Sequence, residues 1–392
     1  MPIADSVRNG MSHGSLIRRM FEEGISLKRR WGGANVFDLS LGNPIIEPPY
    51  EFGRQLEKLI HEPLVGSHRY MPNAGYEDTR KAVADYLSEE TGLSFSMNEI
   101  VMTCGAAGAI NIILKTILNP GDEVIVFTPY FVEYLFYISN HQGRPIVVPT
   151  DDSFLPQLDQ LDVAIGPKTK ALIINSPNNP TGVVYKDSLL AQLSKLLIDK
   201  ERQYNSSIYL ISDEAYRKII FNGLTYPWIL HHYPNSIILT SHSKDLSLPG
   251  ERIGYLAVHP HCADGKDLIN GSIFCNRILG FVNAPALMQN LVKNLQRINI
   301  PIEEYQRKRD TLYNHLTDMG YQVNKPEGAF YIFPKSPIKD DIAFVNRLQQ
   351  LKVLTVPGSG FGAPGYFRIA YCVSDQTIDG ALVGLQAAIK MN

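Results

Sequence analysis

The sequence predicts an α/β protein: a large domain with a mostly parallel seven-stranded sheet between helices, plus a smaller α+β domain from both chain ends. Strand-like and helix-like runs alternate through the middle of the chain, the ends follow a different pattern, and the chain is long enough for two cores. The apolar runs IVMT (100–103), EVIVF (123–127), PIVVP (145–149), ALIIN (171–175), IYLIS (208–212), IILTS (237–241) and RIGYLAV (252–258) read as buried strands. Helical periodicity falls between several of them, most clearly at 106–118 and 187–200. Such alternation predicts parallel strands joined by crossover helices. At the ends, residues 12–30 read as an amphipathic helix and 286–318 as helical. Short strands are expected at YQVN (321–324), FYIF (330–333) and YFRIAY (366–371), before a final helix. The expected division is 1–48 as an N-terminal segment of the small domain, 49–290 as the large domain and 291–392 as the C-terminal small domain.

With 392 residues and 44% hydrophobic content, the chain can bury more than one core. A net charge of −2 and the lack of a basic block argue against nucleic acid or a membrane surface as a partner. The N-terminal stretch has no apolar core of the kind a signal peptide carries, so a cytoplasmic protein is expected. Cys104, Cys262, Cys275 and Cys372 have neither disulfide nor metal spacing, which suits a reducing compartment and predicts no metal site.

In open α/β sheets, ligands bind beyond the carboxyl ends of the strands. The residues expected there are unusually polar. IVMT runs into Gly105, Ala106 and Ala107 at a helix start, and EVIVF into Pro129, Tyr130 and Phe131. ALIIN leads to Asn179-Pro180-Thr181-Gly182, IYLIS to Asp213 and Tyr216, and IILTS ends at Ser241 with Lys244 beyond it. Each feature alone has an ordinary explanation: a turn, a cap, a solvated lysine. Together on one rim they suit a phosphate-bearing aromatic aldehyde. A helix N-terminus, Ser241 and Arg252 suit the phosphate, Phe131 a flat ring, Asp213 a protonated ring nitrogen, and Lys244 the aldehyde. That ligand is pyridoxal 5'-phosphate.

At these residues the chain resembles the class I/II aminotransferases, the fold-type I pyridoxal phosphate enzymes of the aspartate aminotransferase superfamily. The resemblance runs from about residue 35 to 390 and rests on Asn179-Pro180-Thr181-Gly182, Asp213 with Tyr216, Ser241-x-x-Lys244, and Arg252 eight residues on. It implies that Lys244 forms the Schiff base and moves the proton, Asp213 partners the ring nitrogen, and Asn179 and Tyr216 bind the ring oxygen. It further implies stacking by Phe131, a phosphate cup of Gly105, Ala106, Ala107, Ser241 and Arg252, and substrate carboxylate binding by Gly42, Asn179 and Arg368. Tyr70 matches a tyrosine that reaches the neighbouring subunit's phosphate, which implies a homodimer. Ala107 departs from the many relatives that place a hydroxyl residue there, so backbone N–H groups must do more of the phosphate binding.

The implied activity is transfer of an amino group from an L-amino acid to a 2-oxo acid. Alternatives on the same fold are a β-eliminating carbon–sulfur lyase and a non-catalytic ligand-sensing relative. The glycine-rich GSGFGAPG (358–365) lies between two strand-like runs with no helix after it, so a strand–loop–strand turn is expected rather than a dinucleotide loop.

Overall fold

A computed structural model describes residues 2–13, 16–63 and 65–390. Seven strands form the main sheet: β1 (Ile100–Thr103), β2 (Glu123–Phe127), β3 (Arg144–Val148), β4 (Thr169–Asn175), β5 (Tyr209–Asp213), β6 (Ser236–Ser241) and β7 (Gly254–Val258). Their spatial order is β1-β7-β6-β5-β4-β2-β3. Neighbours are parallel except at β7, which runs antiparallel to both β1 and β6.

The central stretches of the inner strands are apolar because both faces are covered, whereas the edge strand β3 is largely exposed or half-buried. Successive residues alternate between two cores. Ile125, Leu172, Leu210 and Ile238 enter one, while Val124, Val126, Ile173, Ile211, Ile237 and Leu239 enter the other. Each such side chain contributes roughly 1.5–3 kcal/mol on burial. Helix Gly105–Ile117 covers the second face with Ala109, Ile110, Ile113, Leu114 and Ile117. Helix Asp187–Tyr204 covers the first with Leu190, Leu193 and Leu197, at the spacing of one helical stripe.

A third core joins the two ends of the chain. It gathers Leu39, Ile300, Tyr305, Leu312, Phe330, Phe344, Phe367, Ile369 and Leu385. Here Phe37–Asp38 pairs in parallel with Val353–Leu354, and Phe367–Ala370 lies antiparallel between Val356–Pro357 and Tyr331–Ile332. Lys28 bonds Asp38 at 2.6 Å, tying helix Leu16–Trp31 to the N-terminal strand. The expected helix at 12–30 includes Gly14 and Ser15, which lie outside the described residues.

Two expectations need correction. YQVN (321–324) is not a strand. Tyr321 is buried and donates its hydroxyl to Leu385 O at 2.9 Å, and Gln322 O accepts one bond from Lys335 N at 2.8 Å, too little for a ladder. The helical stretch 286–318 divides into Ala286–Val292 and Ile302–Asp318, with Pro301 capping the second. Residues 358–365 form the expected turn between antiparallel strands.

No helix among the described residues is long and apolar enough to cross a membrane. No cluster of His, Cys, Asp or Glu among them could hold a metal ion.

Candidate active site

At the carboxyl ends of β4, β5 and β6 lies a cavity of about 300 Å³. Its wall includes Gly42, Ala106, Ala107, Phe131, Asn179, Asp213, Tyr216, Ser241, Lys244, Arg252 and Arg368. The fold thus gathers all the site residues expected from sequence except Gly105 and Tyr70. Gly105 stands just behind Arg252: its φ is +74°, and a Cβ there would lie 3.0 Å from the guanidinium. Tyr70 is outside the wall, with 92% of its surface exposed.

Lys244 sits in the helical turn His242–Asp245 that follows β6. Its Nζ donates to Gly42 O at 2.6 Å and lies 5.2 Å from the centre of the Phe330 ring. Burial lowers its pKa to about 8, with the Arg368 and Arg252 guanidiniums adding to the effect. Near neutral pH a usable fraction is therefore free amine, the nucleophilic form. Gly42 has no room for a side chain, since a Cβ would fall 1.8 Å from the Tyr331 hydroxyl.

Asp213 ends β5. Its Oδ2 accepts from the Tyr134 hydroxyl at 2.5 Å, and its Oδ1 from the Ala215 N–H at 3.4 Å. No Lys, Arg or His among the described residues pairs with it. Burial raises its pKa, and the two donors oppose that. A buried carboxylate without a cation is costly, so it forms a seat for a cationic group. Beside it the Tyr216 and Tyr331 hydroxyls meet at 2.8 Å. Burial pushes the Tyr216 phenol well above its usual range and Tyr331 up to about 12, so both stay neutral.

Arg368 is the mirror case. It is 3% exposed and sandwiched between the Tyr331 and Phe361 rings, 4.6 and 4.8 Å from their centres. Nη1 donates to Asn179 Oδ1 at 3.0 Å and Nη2 to Ser40 O at 2.6 Å, while Nε has no hydrogen-bond partner. No acid among the described residues pairs with it. Asn179 is itself fixed by its N–H bond to Asn175 Oδ1 at 2.7 Å, and its side-chain NH2 remains to donate.

At the far end, helix Gly105–Ile117 presents its N-terminus through Ala106 and Ala107. Arg252 adopts φ 51° after the turn Pro249–Glu251, and its Nη1 donates to Pro249 O at 3.0 Å. With Ser241 these groups make an electropositive end suited to a phosphate. Anion cup, aromatic wall at Phe131, buried carboxylate and low-pKa amine together fit pyridoxal 5'-phosphate, and the sequence-level reading of the cofactor stands.

Sequence reasoning missed Tyr134, Tyr137 and Tyr331. The first two follow Phe131 at intervals of three along helix Glu133–Asn140, a spacing that could have flagged them. Tyr331 comes from a strand of the third core, and nothing local marks it.

Comparison with known proteins agrees with this geometry. The model of the family "Aminotransferase class I and II" matches residues 34–385. A probable aspartate aminotransferase of Methanocaldococcus jannaschii is 32% identical, covering 89% of this chain and 92% of its own. A probable aspartate/prephenate aminotransferase of Thermus aquaticus is 31% identical over 93% of this chain and 94% of its own. An amino transferase of Eubacterium rectale superposes with a TM-score of 0.96 at 36% identity, covering 100% of this chain and 99% of its own. The chain thus belongs to the aminotransferase class I and II family, and is a pyridoxal 5'-phosphate-dependent aminotransferase acting on amino and 2-oxo acids.

Proposed function

We propose that the cavity is the transamination site and that its residues divide the work as follows. Lys244 holds the cofactor's aldehyde end and afterwards carries the proton at the substrate's α-carbon. Arg368 binds the α-carboxylate through its planar fork, aided by Asn179 and Gly42. Asp213, oriented by Tyr134, keeps a proton on the ring nitrogen, and Asn179 and Tyr216 donate to the ring oxygen. Phe131 stacks on the ring, while Gly105, Ala106, Ala107, Ser241 and Arg252 hold the phosphate. When bound, the cofactor supplies an electron sink for charge at the α-carbon. One observation carries the reading: a low-pKa amine and a buried guanidinium face one cavity, and neither is paired with an acid.

The chain divides, in this proposal, into a large and a small domain. The sequence-based boundary at 290/291 is better drawn a few residues later, because Leu291, Val292 and Leu295 pack in the sheet's core and Ile300 in the third core. We also propose a cytoplasmic homodimer in which Tyr70 serves the neighbouring subunit's site.

Borohydride treatment of the holoprotein tests the central assignment. The cofactor should be fixed to Lys244 in the peptide map, and Lys244→Ala should bind cofactor yet turn over negligibly. Amino acid added to the wild type should yield pyridoxamine phosphate and the 2-oxo acid. An adduct on another lysine would overturn the assignment.

A further inference from the structure

Tyr331 lines the cavity and has no part in the chemistry above. It stands on the strand Tyr331–Ile332, where Ala370 is its cross-strand partner. Arg368 is two residues from Ala370, so it points to the same face as a diagonal neighbour of Tyr331. The guanidinium carbon accordingly lies 4.6 Å from the centre of the Tyr331 ring, and Phe361 closes its other side at 4.8 Å. The hydroxyl end of Tyr331 is held as closely. It lies against Gly42, where a Cβ would fall 1.8 Å away, and meets the Tyr216 hydroxyl at 2.8 Å. The Tyr216 ring in turn packs edge-on with Phe330 and Tyr331, at 5.3 and 5.6 Å between ring centres.

Both tyrosines are buried, and two hydroxyls 2.8 Å apart leave no space for a third group between them. The contact therefore belongs to one chain, whatever a second subunit adds to the cavity. Either hydroxyl could donate in this bond. Each phenol carries one proton, and burial keeps both protonated. A Tyr216 proton given to the cofactor's ring oxygen is not available to Tyr331. The bond then persists only with Tyr331 as donor and the Tyr216 oxygen as acceptor. Accepting a bond also polarises a phenol and strengthens its own donation, by roughly 10–30%.

We propose that Tyr331 is a positioning residue that acts through Tyr216: its hydroxyl donates to the Tyr216 oxygen and thereby aims the Tyr216 proton at the cofactor's ring oxygen. The proposal rests on Tyr216 as a donor to that oxygen, and the test separates the two. The readout is the absorbance of the holoenzyme, titrated with pH in the absence of substrate. A donor favours the negative form of the ring oxygen, so it lowers the pH at which the bound cofactor gives up its proton and changes colour.

Tyr216→Phe removes a bond to a charged group and should raise that midpoint by about 1–2 pH units. Tyr331→Phe keeps the ring against Arg368 and removes only the hydroxyl. It should raise the midpoint by about 0.3 units. In a Tyr216→Phe background, Tyr331→Phe should change nothing further, because its route to the cofactor is gone. A merely structural role would give the same shift in both backgrounds. The proposal is overturned if Tyr331→Phe leaves the wild-type midpoint in place or shifts it equally in both backgrounds. A lowered midpoint also overturns it, since Tyr331 would then be competing for the Tyr216 proton. If Tyr216→Phe itself moves nothing, the assignment of Tyr216 fails, and the proposal with it.

Discussion

At the scale of single residues, burial decides what Lys244 can do. A free lysine titrates near 10.5, whereas burial beside two guanidiniums brings this one to about 8. By that gap about one amine in ten is unprotonated at pH 7. The rate at which cofactor-free protein takes up pyridoxal 5'-phosphate, followed by absorbance, should rise about tenfold per pH unit below 8 and flatten above it. A profile still climbing through pH 9 would return Lys244 to an ordinary lysine. Stability follows the same shift. Between about 8 and 10.5 the unfolded chain holds the proton and the folded chain does not. The cost of burying this amine is thus full below 8 and is relieved as pH rises across that window. Lys244, Asp213 and Arg252 were legible in the sequence because each stands at or beside the end of a strand, so local order reports spatial order. Tyr134 was not, since an aromatic on a helix reads first as core.

At the scale of elements, the turn His242–Asp245 holds the lysine in place. Asp245 Oδ2 lies 3.2 Å from His242 Nδ1 and 3.3 Å from Lys218 Nζ. Its backbone oxygen accepts from Ile300 N at 2.9 Å, and Lys218 Nζ also donates to Gln296 O at 2.6 Å. The turn is thereby moored to the segment after β5 and to the one before helix Ile302–Asp318. Burial alone would raise the Asp245 pKa, but His242 and Lys218 outweigh it and hold the carboxyl at about 2. A depressed carboxyl contributes stability that is full above its unfolded value, here 3.8, and is lost as pH falls toward 2. Asp245→Asn leaves the buried Lys218 ammonium without its anion, which should cost about 3 kcal/mol in urea unfolding at pH 7. The difference from wild type should shrink by roughly half at pH 3, given the two titration points. An equal difference at both pH values would show that the carboxylate's charge is not what matters. Nothing in the sequence announces this network, because its members are scattered from Lys218 to Ile300. The sheet strands, by contrast, were legible almost to the residue, since continuous apolar runs have few other uses. YQVN failed because alternation over four residues does not guarantee a partner strand.

At the scale of the whole molecule, Tyr70 is the residue that the isolated chain leaves unexplained. It sits 92% exposed in a segment that also displays Val65 at 99%, next to helix Tyr50–His61 with Tyr50 at 80% and Ile60 at 67%. Exposed apolar side chains gathered along one stretch suit a surface that another molecule covers. The base of the segment is pinned: Asn73 Nδ2 donates to Val282 O at 2.7 Å, and Asn276 Nδ2 to Asn73 O at 2.8 Å. Beyond that base the tip with Tyr70 is exposed and forms no part of its own cavity's wall. If a second copy receives that tip, each site takes its lysine from one subunit and its Tyr70 hydroxyl from the other. Tyr70→Phe should then weaken cofactor binding by roughly tenfold or more, the effect of a lost bond to a charged group. Lys244→Ala should abolish turnover. Mixed dimers distinguish the subunits. A Tyr70→Phe chain paired with a Lys244→Ala chain has one site with both native residues and one with neither. Refolding the two variants together, with the Lys244→Ala chain in excess, should restore wild-type cofactor retention and turnover to the Tyr70→Phe subunit's site. Were Tyr70 to act within its own subunit, every site in the mixture would lack one residue, and mixing would recover nothing.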